Sequence, residues 1–123
     1  MLADLVGSPA SDAETAARHL ADRLECLVVA TLGRQGAIAV GTDETWRVEA
    51  LTVDVRDTTG AGDTFAGAFA AALDAGMPTP DALARASVAS GLACLEIGAQ
   101  QSIPTAAMIT ALLGDIEHPR RVR

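Results

Sequence analysis

The residues Arg56-Asp57-Thr58-Thr59-Gly60-Ala61-Gly62-Asp63 have the types and spacing best suited to chemistry in this chain. An extended stretch, Leu51 to Val55, leads into them, and Phe65, Phe69 and Leu73 then repeat every four residues with alanines between, as in a helix. A strand that ends in glycines and turns straight into a helix leaves unpaired backbone N–H groups pointing outward, where the helix dipole also favours negative charge. That is a phosphate site in outline. Glycine suits it because no Cβ blocks the approach of an anion to the amides and because it accepts a positive φ. Asp63 is the informative addition. A carboxylate beside an anion hole repels a phosphate, so a loop that only binds has little use for one, whereas phosphoryl transfer needs a base for the attacking hydroxyl. A plainer alternative stays open: Asp63 as a helix-capping acid worth about 1 kcal/mol, after a tight turn. A dinucleotide fingerprint is set aside, because Phe65 stands where its third glycine belongs and another helix follows with no intervening strand.

The rest of the chain must position this loop. Ser11-Asp12-Ala13-Glu14 has capping-box spacing and precedes the apolar positions Ala13, Ala17, Leu20 and Leu24, which predicts a helix over 12–24. Leu27-Val28-Val29-Ala30-Thr31-Leu32 is nearly continuous and apolar, the pattern of a central parallel strand buried on both faces. The glycine-bounded turn Gly33-Arg34-Gln35-Gly36, the run Ala37-Ile38-Ala39-Val40, the break Gly41-Thr42-Asp43 and then Thr45-Trp46-Arg47-Val48 predict a small antiparallel meander. A helix over 62–75 is stopped by Gly76 and Pro78. Thr79 as N-cap, Pro80 at the first helical position and Asp81 open a further helix that ends near Gly98, and Thr105 caps a short one up to Gly114. The arginine-rich tail after Pro119 is expected to fray.

Composition narrows the function further. The 123 residues hold nine basic and sixteen acidic side chains, a net charge of −7, and half of them are hydrophobic. All nine basic residues are arginine, which excludes Schiff-base lysine chemistry and the Walker-type phosphate loop. With no basic cluster except Arg120, Arg121 and Arg123 at the tail, a nucleic-acid surface is not expected. No apolar run approaches the length of a membrane span, and the start lacks the basic region of a signal peptide. Cys26 and Cys94 have no C-x-x-C spacing and read as reduced core residues of a cytoplasmic protein. His19 and His118 are not placed as ligands or bases, and Trp46 reads as sheet packing.

Over thirteen residues, Asp57-Thr58-Thr59-Gly60-Ala61-Gly62-Asp63-Thr64-Phe65-Ala66-Gly67-Ala68-Phe69 resembles the C-terminal signature of the ribokinase-like (PfkB-type) carbohydrate kinases. Thr31-Leu32-Gly33-Arg34-Gln35-Gly36-Ala37 resembles the family's strand-end nucleotide segment, and Gly98-Ala99-Gln100-Gln101-Ser102-Ile103-Pro104 its late loop. The resemblance implies an α/β chain, the C-terminal part of a ribokinase-like three-layer fold, with residues 1–119 as the nucleotide-binding part and 120–123 as a tail. It implies transfer of the γ-phosphoryl group of ATP, with Mg2+, to a hydroxyl of a small-molecule sugar or nucleoside. Asp63 would be the catalytic base, and Gly60, Ala61 and Gly62 the anion hole. Thr31, Gly33 and Gly36 would border the nucleotide's ribose and base, with Gly62 and Asp63 at its phosphates; a plain hairpin turn is the alternative for the first three. Asp57, Thr59, Ala93, Glu96, Gly98 and Ser102 match positions that in some members surround an activating monovalent cation, K+, partly through backbone carbonyls. Glu96 departs from the pattern in its side chain, and Ala86 stands where some relatives carry an asparagine near the adenine.

Members of the family are roughly twice this length or more, with an N-terminal region that supplies a lid and most sugar contacts. Their magnesium-linked N-x-x-E motif comes shortly before a segment like Ala3-Asp4-Leu5-Val6-Gly7, and aligned through it Met1 falls where the Glu would be. No magnesium ligand is therefore expected in this chain. A sequence cut within that motif, by a truncated gene, a misassigned start or fragmentation, would expose apolar surface, be marginally stable or self-associate, bind nucleotide weakly at best and not phosphorylate sugars efficiently. Two classes of function remain: the nucleotide-binding half of a sugar kinase, and a non-catalytic nucleotide-binding or dimerising fragment, with a homodimer as its expected assembly.

Overall fold

The computed structural model describes residues 2–4, 10–50, 61–94, 106–116 and 118–122. In chain order these form β1 (Leu2–Asp4), α1 (Ala10–Leu24), β2 (Val28–Thr31), β3 (Ala37–Val40), β4 (Thr45–Val48), α2 (Ala61–Asp74), α3 (Thr79–Ala93), α4 (Ala106–Leu112) and β5 (Arg120–Arg121). Single 3-10 turns occupy Gly33–Gln35 and Leu113–Asp115.

The strands lie in one sheet in the order β1-β2-β3-β4-β5. β1 pairs with β2 in parallel and every other neighbouring pair is antiparallel, so β1, β2 and β4 share one direction. A parallel pair needs a crossover, and α1 provides it. Side chains alternate across the sheet. Val28, Ile38 and Val40 face α1, where Ala13, Ala17, Ala21 and Leu32 complete a core. Val29, Ala37, Ala39 and Val48 face α2 and α3, where they meet Phe65, Phe69, Ala72, Ala82, Leu83 and Ala86. The result is three layers, helix on sheet on helix. The two phenylalanine rings stack nearly parallel with centroids 6.3 Å apart. A third cluster joins Val88, Ala89 and Leu92 of α3 to Ile109 of α4.

Several boundaries and faces differ from the expectations. The first helix begins at Ala10, so Ser11 lies inside it rather than at its cap, and Glu14 pairs with Arg18 at 2.7 Å instead of closing a capping box. Ala21 is buried beside Ala13 and Ala17, and Leu24, at the last position of the helix, is 51 % exposed. In α2 the burial runs Phe65, Phe69, Ala72 and leaves Leu73 37 % exposed. On α2 a step of seven residues, Phe65 to Ala72, stays on the buried stripe, whereas Leu73 lies about 80° round from Phe65 and outside it. The α2 stop is as expected: Gly76 has φ +86°, its N–H donates to the Leu73 carbonyl, and the Met77 N–H donates to the Ala72 carbonyl, both at 3.0 Å.

In α3, Thr79 is the first helical residue and Pro78 takes the cap position, with no side-chain cap bond. The helix ends at Ala93, earlier than Gly98, where the Cys94 N–H tightens the last turn onto the Gly91 carbonyl at 3.2 Å. The tail does not fray. Arg120 and Arg121 pair with Arg47 and Trp46, and the Val122 N–H donates to the Thr45 carbonyl at 2.8 Å, satisfying the outer edge of β4. Cys26 is half-buried against the α1-side core, and Cys94 is half-buried just past the end of α3. Trp46 packs against the α2–α3 side of the core, as expected of sheet packing. The extended stretch 51–55 and the Thr105 cap lie outside the described residues.

The turn between β2 and β3 has a strict requirement. Leu32 N–H donates to the Gly36 carbonyl at 2.8 Å, and Gly36 N–H donates to the Gly33 carbonyl at 3.2 Å. Gly36 adopts φ +89° and ψ −136°, and a Cβ there would sit 2.0 Å from the Val48 carbonyl oxygen and 2.9 Å from the Glu49 Cα. Both obstacles are backbone, so neither can swing aside. Gly36→Ala is expected to cost about 3 kcal/mol or more, read as a lowered urea midpoint. Thr45 goes the other way: it is fully buried and its hydroxyl has no partner among the described residues. Thr45→Val keeps the shape, removes the unpaired polar atom and is expected to raise stability by about 1 kcal/mol in the same measurement.

Candidate functional site

Because β1, β2 and β4 run together, their carboxyl ends lie along one end of the sheet, where open α/β sheets hold their ligands. β2 ends there at half-buried Thr31 and enters the turn that contains exposed Gly33 and buried Gly36. β4 ends there at Val48 and Glu49, pressed against Gly36. Ser87, in the middle of α3, donates its hydroxyl to the Glu49 carbonyl at 2.6 Å, so the later half of α3 also stands at this end.

Residues 75–78 join α2 to α3, and the two helices pack along each other in antiparallel fashion. The start of α2 therefore lies beside the finish of α3, at Ala93. Ala61 opens α2, followed by exposed Gly62 and Asp63, with the Asp63 carboxylate in the first turn. Negative charge is favoured there by the helix dipole, and the amides of the first turn have no partner within the helix. The first turn of α2 thus sets backbone amides that no bond within the helix uses beside an exposed carboxylate.

Of the residues singled out in the sequence, Thr31, Gly33, Gly36, Ala61, Gly62, Asp63 and Ala93 are thus carried to one end of the sheet. Asp57, Thr59, Gly60, Glu96, Gly98 and Ser102 lie outside the described residues. Ala86 is fully buried in the core beneath α2 and α3 and offers no side-chain contact to a base. His19 and His118 are exposed. Among the described residues no three His, Cys, Asp or Glu side chains converge as a metal site.

Two anchors of this end went unnoticed in the sequence. One is the Ser87 bond to Glu49; its only signal is a hydroxyl between the apolar residues Ala86 and Val88 of α3. The other is Arg85, which donates to the Thr110 hydroxyl at 3.1 Å and to the Ala106 carbonyl at 3.4 Å, bracing α4 against α3.

Comparison with known proteins agrees with this architecture. The profile of the pfkB family carbohydrate kinases matches residues 2–106. Ribokinase of Lactococcus lactis is 38 % identical over 90 residues, which is 73 % of this chain and 30 % of that enzyme. The structure of Arabidopsis thaliana ribokinase complexed with ribose and ATP superposes with a TM-score of 0.68 at 34 % identity, covering 71 % of this chain and 28 % of the plant chain. A candidate ribokinase II from Escherichia coli, in complex with ATP and Mg2+, gives a TM-score of 0.81 at 27 % identity, covering 92 % of this chain and 39 % of that one. The chain thus spans about a third of the length of the proteins it matches. With its three-layer sheet and with most of its length matched, this chain belongs to the pfkB family of carbohydrate kinases.

Proposed function

We propose that this chain is the part of an ATP-dependent carbohydrate kinase that binds the nucleotide and carries the base for phosphoryl transfer to a sugar or nucleoside hydroxyl. The observation that carries the reading is the start of α2, where a glycine-bearing first turn presents Asp63 to solvent at the carboxyl end of the sheet. The ribokinase solved with ribose and ATP supports the pairing of sugar and nucleotide. In the proposed reaction the amides of Gly60, Ala61 and Gly62 hold the charge that develops on the transferred group. Asp63 accepts the proton of the attacking hydroxyl as the new O–P bond forms and the bond to the departing ADP breaks. Thr31, Gly33 and Gly36 border the ribose and base.

The described residues build no protein cage for Mg2+. When bound, the ion neutralises phosphate charge, and it is commonly held by the nucleotide itself with one or two carboxylates. Around Asp57, Thr59, Ala93, Glu96, Gly98 and Ser102 we place a K+ site that steadies the anion-hole loop. We place the protein in the cytoplasm, on a sequence with only two cysteines and no C-x-x-C spacing; among the described residues no helix is long and apolar enough to cross a membrane. A second reading is a non-catalytic nucleotide-binding or dimerising fragment of the same fold.

Coupled ADP release separates the two readings when measured on this chain alone and on a polypeptide that joins it to an acceptor-binding kinase half. In the joined protein, Asp63→Asn is expected to lower kcat by about three orders of magnitude, with nucleotide affinity nearly unchanged because the amides hold the phosphate. The same substitution should cost at most about 1 kcal/mol of stability, the scale of a first-turn charge. A variant within tenfold of the parent rate would remove Asp63 as the base. Activity is also expected to rise in potassium; equal rates in potassium, sodium and a bulky organic cation would reject the cation site.

A further inference from the structure

Among the described residues two polar side chains are buried, Thr45 and Ser87. They differ in what they do. The Thr45 hydroxyl has no partner, whereas Ser87 makes a 2.6 Å bond to a backbone carbonyl thirty-eight residues away in sequence, that of Glu49. A serine in mid-helix usually turns its hydroxyl back onto its own helix or out to water and adds nothing to helix formation. Here it reaches across to the sheet.

Glu49 follows the last residue of β4, and this short piece of backbone is gripped from two sides. On one side is Gly36, whose missing Cβ lets the turn between β2 and β3 close onto Val48 and Glu49. On the other is the Ser87 hydroxyl. The turn belongs to the nucleotide side of the candidate site, and α3 is packed along α2, which carries Asp63. The carboxyl end of β4 is therefore the common member between the two sides.

We propose that Ser87 is a positioning residue: its bond to the Glu49 carbonyl locks the end of β4 between the turn at residues 33–36 and the α2–α3 pair, holding the nucleotide-side turn and the Asp63-bearing helix at a fixed separation. The mechanical part stands on geometry alone, and only its consequence for ligand binding rests on the kinase reading. Without the bond, the turn and the helix pair move independently, and a ligand that touches both must select the aligned fraction.

The test uses the 123-residue chain. Amide hydrogen exchange is compared for wild type, Ser87→Ala and Val88→Ala, the last being a same-helix control on the α4 side of α3. In Ser87→Ala, exchange at Leu32 and Gly36 should rise about tenfold beyond any change at Ile38 and Ala39 in β3, the mark of local opening. In Val88→Ala all four amides should shift in step. Ser87→Cys, close in shape but with a weak donor, supplies the same comparison if the alanine variant does not fold. MgATP affinity by calorimetry should fall about tenfold in Ser87→Ala, as expected if the aligned fraction falls to a tenth. A uniform rise in exchange, or none, overturns the proposal, as does unchanged affinity in a variant of a chain that binds MgATP. If the wild-type chain binds no MgATP, the kinase reading fails for this polypeptide while the exchange pattern still decides the role of Ser87.

Discussion

Strands β2 and β3 are covered on both faces, and the two faces are packed in opposite senses. Beneath α1 the strands supply the bulk, Val28, Ile38 and Val40, and the helix supplies alanines at 13, 17 and 21. Beneath α2 and α3 the helices supply much of the bulk, Phe65, Phe69 and Leu83, and β3 supplies Ala37 and Ala39. A slip of one residue in β3 would turn Ile38 and Val40 toward the phenylalanines and leave alanines facing alanines under α1. One face would be overfilled and the other left with voids, and both errors are destabilising. The register of the hairpin is fixed by this exchange of sizes, and the position of the turn between β2 and β3 follows from the register.

The site end of the sheet depends on that register at short range. Ala37 opposite Val48 brings the end of β4 level with the turn that leaves β2. Only a residue without a Cβ can then occupy position 36, because the Val48 carbonyl stands in the space a side chain would take. Packing in the middle of the sheet thus dictates a glycine at its edge, and a glycine that looks functional in a motif is also a steric necessity of the fold.

The sequence was legible wherever the physics is local. Continuous β-branched residues marked β2, the glycine breaks marked the meander, and Gly76 with Pro78 marked the end of α2. It was less legible where a distant partner decides. Leu24 and Leu73 carry apolar side chains at helical spacing and are still exposed, Leu73 about 80° round α2 from Phe65 and Leu24 at the last position of α1. Arg120 and Arg121 look like solvated tail until the open edge of β4 is there to pair with them. The Ser87 bond to Glu49 spans two elements with nothing in local spacing to announce it. For the candidate site, the glycines and Asp63 were readable from their string, and the positions of Thr31, Gly33, Gly36 and Ala93 at the same end follow only from strand direction and the antiparallel helix pair.

The strands stand in the sheet in their order along the chain, which places the first and last at opposite borders. Four inter-strand steps separate them, roughly 19 Å. A tether joining β1 to β5 must bridge about six extended residues at the least, and more to pass around a covered face. Covalent fusion therefore meets two different borders. A partner attached ahead of β1 sits beside a parallel strand, whereas one attached after β5 sits beside arginines. Two-ended grafts of this unit into another protein would need acceptor points as widely spaced as the sheet is broad.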